Sequence, residues 1–217
     1  MNASAAPPEA LYPTRTGAGS FLGRQLYSRF QPPVVILGLA PTGVEVAAAA
    51  AKAMSAHFDV IIGAHIRVDD KVIGAVAEDG DAVIDPDFAP SFSMMDVLNE
   101  AIDRARRAIK AERLLFRGQR QLRSLEGANV IIVDGQITSP WKALAAAEVA
   151  RKAGANRIAI AAPVSTQPVQ ERVRARKLDF VSPSVLMDAT GHARPFGDPD
   201  DPSAERLRSI VVARQAA

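Results

Sequence analysis

The 217-residue sequence contains no cysteine, and that absence removes a disulfide framework, a thiolate nucleophile and a cysteine-bound zinc together. Histidine is nearly as scarce: three scattered residues with no H-x-x-x-H spacing give no pattern for a structural metal. No apolar stretch approaches the ~20 residues that cross a bilayer. The N-terminal MNASAAPPEA has neither a basic start nor an apolar run of leader length. The expectation is a soluble, cytoplasmic protein without membrane contact. An excess of one charge is missing as well, since 26 Lys and Arg face 24 Asp and Glu for a net +2. Any electrostatic function is therefore local to a patch.

What remains is a chain that is 48% hydrophobic and long enough to bury one sizeable core. Residues 1–20 are rich in Ala, Pro, Thr and Gly without apolar periodicity. They are expected to form a tail that is disordered or drapes over the surface, leaving one domain over 21–217. Phe21 to Phe30 reads as a short helix with Phe21, Leu22, Leu26 and Phe30 on one face, broken by Pro32 and Pro33. Apolar, β-branched runs begin at Val34 (VVILGL), Asp59 (DVIIGA), Asn129 (NVIIVD) and Arg157 (RIAIAAPV). Their continuous apolarity predicts strands buried on both faces. Alanine-rich helical segments, Val44 to Phe58 and Trp141 to Ala153, lie between the first pair and the last pair, the second stopped by Gly154. Two β-α-β units predict an α/β fold with a mostly parallel, twisted sheet flanked by helices on both faces. Such folds bind ligands at the carboxyl ends of their strands, which directs attention to the loops after Leu39 and Val133.

The second loop, DGQITSPWK, occupies the place where a phosphate-binding turn usually carries glycines. Asp134 ends the strand, and Ser139-Pro140 fits an N-cap followed by the first helical residue, worth roughly 1 kcal/mol. Free N–H groups at such a helix start attract anions, and Lys142 adds a full charge. Plainer roles stand beside these. Asp134 can simply accept loop N–H groups, Thr42 and Gly43 can cap the following helix, and Trp141 can pack against a strand. His192, in TGHARPFGDPDD, reads as a solvated loop residue.

VDGQITSPWK resembles the VDDGIATGAT signature of the type I phosphoribosyltransferases, with Asp134 matching its first acid and Ser139 its first Thr. Other segments resemble that family in the same order. They are VVILGLAPTGVEVA, IGAVAEDG from Ile73, FRGQR from Phe116, LEGANVIIVDG and RIAIAAPV, and the likeness runs from about Phe21 to Pro168. The resemblance implies that Asp134, Gly135, Thr138, Ser139, Trp141 and Lys142 surround the ribose and 5-phosphate of phosphoribosyl pyrophosphate. It implies that Ala40, Pro41, Thr42 and Gly43 hold the pyrophosphate, with magnesium accompanying the ligand. His65 and Arg67, in AHIRVDDKV, stand where relatives carry a basic segment. This chain also departs from the signature: Gly135 replaces the second acid, Pro140 replaces Gly, Lys142 replaces the last Thr, and APTG lacks the Arg of a PRGG loop.

Each lost charge-assisted hydrogen bond costs about 1.5–3 kcal/mol, so three remove roughly 4–9 kcal/mol. That is comparable with the roughly 8 kcal/mol of a micromolar ligand. The expectation is a phosphoribosyltransferase-fold protein that binds a phosphoribosyl, nucleotide or phosphate ligand with weak or no transfer. An active transferase of unusual substrate and a noncatalytic regulatory or nucleic-acid-binding module remain open. Restoring an acid at Gly135 and a glycine at Pro140 is expected to strengthen ligand binding.

One feature stands outside the resemblance. Arg104 to Arg123 holds eight Lys or Arg and one acid, Glu112. Arg106, Lys110, Arg113 and Arg117 fall at helical spacing, off the apolar stripe of Leu98, Ile102, Ala105 and Ile109. This face is read as solvated and paired with acids of a neighbouring subunit in a homo-oligomer, or as a nucleic-acid phosphate contact.

Overall fold

The computed structural model describes residues 10–78, 80–88, 90, 94–188, 194–198 and 202–215. At its centre is β1 (Val34–Ala40), buried along its whole length, as a continuously apolar strand covered on both faces must be. β1 pairs in parallel with β2 (His57–Val68) on one side and with β5 (Asn129–Val133) on the other, with Ala40 opposite Ile62 and Gly38 opposite Val133. β7 (Arg157–Ala161) and β9 (Asp179–Val181) continue the parallel sheet beyond β5. Beyond β2, β3 (Lys71–Ala77) and β4 (Val83–Ile84) add antiparallel, giving the order β4-β3-β2-β1-β5-β7-β9. The four strands read from the sequence are therefore contiguous, as β2-β1-β5-β7.

Three short strands, β6 (Gln136–Ile137), β8 (Val164–Thr166) and β10 (Ser184–Leu186), follow β5, β7 and β9 and pair in parallel as a second small sheet. Strands of two or three residues carry no readable period, and the sequence reading missed them.

One face of the main sheet is covered by α1 (Arg15–Tyr27), α2 (Val44–Met54), α3 (Met95–Arg117) and α6 (Ala204–Gln215). α4 (Trp141–Lys152) and α5 (Gln167–Ala175) cover the other. Among the described residues no helix is long and apolar enough to cross a membrane.

α1 corrects the expected tail boundary at residue 20, because the helix starts at Arg15, capped by the Thr14 hydroxyl accepting from Gly17 N–H at 3.0 Å. Its packing face adds Ala18, Gly19 and Gly23 to Leu22 and Leu26, and the small residues of its first turns carry no apolar period that would have announced the earlier start. A methyl group at Gly19 would lie 2.3 Å from the Val46 carbonyl oxygen, and one at Gly23 would lie 2.7 Å from that of Ala50, so the backbones of α1 and α2 nearly touch. Phe21, expected on the buried face, is exposed, while Leu22 and Leu26 are fully buried. α2 ends at Met54 instead of Phe58, where Ser55 turns the chain with φ 52° and β2 begins at His57.

The segment after α3 ties that helix to the sheet. The buried Arg117 guanidinium pairs with buried Glu78 and donates to the Val60 carbonyl at 3.2 Å, while Glu78 also accepts from Ile62 N–H at 2.8 Å. Three residues on, Arg120 grips Asp59 with both terminal nitrogens, at 2.6 and 3.1 Å. Burial pushes the Asp59 carboxyl up, but Arg120 and the N–H groups of Arg123 and Val60 hold it below the ordinary aspartate value. FRGQR is thus a clamp of α3 onto β2 and β3.

Candidate functional site

The loops after β1 and β5 meet at the carboxyl edge of the sheet. Gly43 packs so tightly on the end of β5 that an added Cβ would stand 2.2 Å from the Val133 carbonyl oxygen and 2.9 Å from Asp134 Cα. Only glycine lets the two backbones approach this closely. Thr42 then donates its hydroxyl to Asp134 Oδ1 at 2.5 Å, and Gly135 N–H donates to the same oxygen at 2.7 Å. Asp134 accepts a loop N–H, as the plainer reading held. The Thr42 hydroxyl does not cap α2, whose N-cap position is taken by Gly43. Gly135 is backed against Thr42, whose carbonyl oxygen would stand 2.6 Å from a Cβ at that position.

The sequence reading missed what walls this edge. A cavity of about 300 Å³ lies between Thr42 and Gly135 on one side and Arg15, Phe196 and Leu207 on the other. Arg15 reaches Asp198 through its backbone N–H at 2.7 Å and stacks its guanidinium on the Phe196 ring at 5.0 Å. Tyr12 N–H donates to the Pro195 carbonyl at 3.1 Å, bringing the segment before α1 beside the one that precedes α6. Nothing local in the sequence signals these contacts, because both segments lack periodicity. His192, which drew notice in this stretch, lies outside the described residues.

At the start of α4 the expected cap is displaced by one residue. Pro140 occupies the N-cap position with φ −76° and ψ −17°, and its carbonyl accepts the first helical bond from Leu144 N–H at 2.9 Å. The Ser139 hydroxyl oxygen is instead buried with no hydrogen-bond partner among the described residues. The amides of Trp141, Lys142 and Ala143 precede that first bonded turn, so they are the orphan donors of a helix start. The Trp141 side chain packs into the core at 5% exposure, beneath the Arg172 guanidinium. Its indole is thus committed to the core. Thr138 is exposed.

Lys142 is half-buried and forms no ion pair with a described residue. Its ammonium acts on three titratable groups, in the loop after β5, on α3 and on β2. Burial raises the Asp134 carboxyl above its usual value, opposed by Lys142, Thr42 and the Gly135 N–H. Burial likewise raises Glu112 on α3, again opposed by Lys142. Burial lowers His65 to about 4, helped by Lys142 and Arg67, and its buried Nε2 has no partner among the described residues. His65 and Arg67 sit on the part of β2 that runs past Ile62, beyond the ends of β1 and β5, with Arg67 exposed at a register shift.

The His65 depression has a testable consequence. The unfolded histidine takes its proton near pH 6.5, while the folded one waits until about 4. Stability contributed by the neutral imidazole is therefore full above pH 6.5 and is lost as pH falls from 6.5 towards 4. Urea unfolding at pH 7.5 and pH 5 is expected to show a larger loss for the wild type than for His65→Gln. Equal losses would place the imidazole in solvent.

The basic face of α3 is only partly assembled. Arg106, Lys110 and Arg113 line a cavity of about 390 Å³ beside Glu78 and Asp103, and Arg106 pairs with Asp103 at 3.6 Å. Arg117, expected on the same face, is a correction: its side chain turns into the protein because buried Glu78 demands a cation. Leu98, Ala105 and Ile109 are buried as the apolar stripe predicted.

Over 167 residues the chain is 31% identical to a protein of two Mycobacterium tuberculosis strains, provisionally named a phosphoribosyl transferase. The match covers 75% of this chain and 38% of that curated relative's length. The TT1426 protein of Thermus thermophilus shares 25% identity at a TM-score of 0.78, over 93% of this chain and 98% of its own. A purine phosphoribosyltransferase from Pyrococcus horikoshii shares the fold at 18% identity and a TM-score of 0.50, over 89% and 97% of the two chains. No family model matches the chain. With 31% identity to the Mycobacterium tuberculosis relative over 75% of this chain, and with the sheet it shares with the two solved structures, the chain belongs to the type I phosphoribosyltransferase family.

Proposed function

We propose that this domain binds a phosphorylated ligand of the phosphoribosyl or nucleotide class at the carboxyl edge of its sheet, with little or no phosphoribosyl transfer. The observation that carries the reading is the asymmetry of the Asp134–Lys142 loop. At its sugar end Asp134 Oδ1 is committed to Thr42 and Gly135, and the Thr42 carbonyl fills the space a second acid would need. At its phosphate end the amides that open α4, the unpartnered Ser139 hydroxyl and the Lys142 ammonium stay available. Such an end favours a compact anion. Asp134 is the one carboxylate on the two loops, so they offer no donor set for a protein-held magnesium. Any magnesium would arrive on the ligand's own phosphates.

Calorimetric titrations of sulfate, ribose 5-phosphate and phosphoribosyl pyrophosphate at fixed salt test this reading. Sulfate binding is expected to be weak and to fall roughly tenfold in Lys142→Ala, the loss of one charge-assisted contact. The two sugar phosphates should gain little over sulfate. With magnesium and common bases, pyrophosphate release from phosphoribosyl pyrophosphate should be undetectable. Tight, Lys142-independent binding of phosphoribosyl pyrophosphate, or robust release, would return the domain to the ordinary transferases.

A further inference from the structure

A second cationic cavity lies at the opposite, amino edge of the sheet. It measures about 560 Å³ and is lined by Lys52 at the end of α2, His57 at the start of β2, Arg120 and Arg123 after α3, and Arg214 in the last turn of α6. It has no carboxylate in its lining. Asp59 beneath it neutralises Arg120. The charges of Lys52, Arg123 and Arg214 have no carboxylate partner among the described residues, and Arg214 Nε is buried without a hydrogen-bond partner. The plain explanation is that lysine and arginine near helix C-termini answer the macrodipole. Two such ends supply only about half a negative charge each. Three full positive charges from three separate segments exceed that, and Arg123 is on neither helix.

Beside this cavity, and sharing Ser55, Ala56 and His57 with it, is a cleft of about 290 Å³ lined by Tyr27, Phe30, Pro33 and Met54. Tyr27 is 64% exposed, so its ring is open to a flat ligand lying in the cleft. An aromatic, apolar cleft continuous with a carboxylate-free basic cavity matches a ligand with a planar base at one end and several phosphates at the other. We infer that the amino edge is a binding site for a nucleoside di- or triphosphate. Its phosphates lie against Lys52, Arg123 and Arg214, and its base lies against Tyr27. The register of β1 against β2, from Val35 opposite His57 to Ala40 opposite Ile62, separates this site from the Asp134 loop by roughly 17 Å of strand. The two sites can therefore be occupied together, and ligand here can act on the carboxyl edge only through the sheet and α2.

Calorimetry with ATP, GTP and inorganic tripolyphosphate at fixed salt tests the inference on the wild type, Arg123→Ala/Arg214→Ala, Tyr27→Ala and Lys142→Ala. Arg123 is exposed and Arg214 only half-buried, and Leu207 and Val211 anchor α6, so unchanged melting serves as the folding control. The wild type should bind a nucleoside triphosphate, and the double variant should weaken it at least tenfold. Tyr27→Ala should weaken the nucleotide several-fold and leave tripolyphosphate unchanged, and Lys142→Ala, which removes a contact only at the carboxyl edge, should leave the binding event that depends on Arg123 and Arg214 in place. The assignment is overturned if the wild type binds no nucleotide, or if Lys142→Ala abolishes binding while the double variant retains it. Indifference of the nucleotide to Tyr27→Ala would overturn the placement of the base.

Discussion

Replacing Glu78 by alanine is expected to destabilise the domain by about 3–5 kcal/mol, the usual cost of removing one partner from a buried ion pair. The Glu78 and Arg117 side chains are 3% and 2% exposed. Without Glu78 the Arg117 charge stays buried with, among the described residues, the Val60 carbonyl alone to accept from it, and the Ile62 N–H loses its acceptor. Glu78→Gln can keep the bond to Ile62 but leaves the guanidinium uncompensated, so it should recover only part of the loss. The double variant Glu78→Met/Arg117→Met removes both charges and fills the same volume. It is expected to cost much less than the sum of the single variants, because a buried pair is held against a large desolvation penalty. Urea unfolding of the wild type, Glu78→Ala, Glu78→Gln, Glu78→Met, Arg117→Met and the double variant checks the pattern. Single-variant losses below about 1 kcal/mol would mean that the pair is solvated.

That clamp shows where sequence reading reaches its limit. The central strands were legible because a run such as VVILGL has few ways to hide its backbone except between two layers of helices. Arg117 was misplaced for the opposite reason. Its spacing from Arg113 and Lys110 describes the helix faithfully, but a long side chain near a helix end can turn inward when a carboxylate waits below, and Glu78 is distant in sequence. The start of α1 was placed late because its first turns, up to Ser20, hold small residues with no hydrophobic period, and Gly19 packs by being small. At the candidate site, the positions of Asp134, Thr42 and Lys142 follow from the strand ends. The contact of Gly135 with the Thr42 carbonyl, and the cover supplied by Phe196 and Arg15, depend on how distant backbones approach. No spacing rule reports that.

Gly135→Asp, the substitution that restores the family's second acid on paper, is therefore expected to destabilise the domain instead of repairing its sugar site. A Cβ at residue 135 meets the Thr42 carbonyl oxygen at 2.6 Å, with the Phe196 ring 3.7 Å away. The loop cannot easily yield, because the Thr42 hydroxyl is tied to Asp134 and Gly43 is wedged against Val133. Gly135→Ala alone should cost about 1–3 kcal/mol, the range for overpacking a closed site. Aspartate adds a second carboxylate beside Asp134, whose own carboxyl is already raised by burial. Like charges at this distance raise both further. A carboxyl with a raised folded pKa binds its proton more readily folded than unfolded, so the stability it contributes grows as pH falls and is lost as pH rises through the folded value. Gly135→Asp should thus be less stable than the isosteric Gly135→Asn at pH 7.5, and the two should converge towards pH 5. Melting curves of the Ala, Asn and Asp variants at both pH values measure this. Titration of phosphoribosyl pyrophosphate against Gly135→Asp should show no gain over the wild type. An aspartate variant as stable as the wild type and binding that ligand more tightly would mean that Thr42 moves aside, leaving the ribose site one residue from restoration.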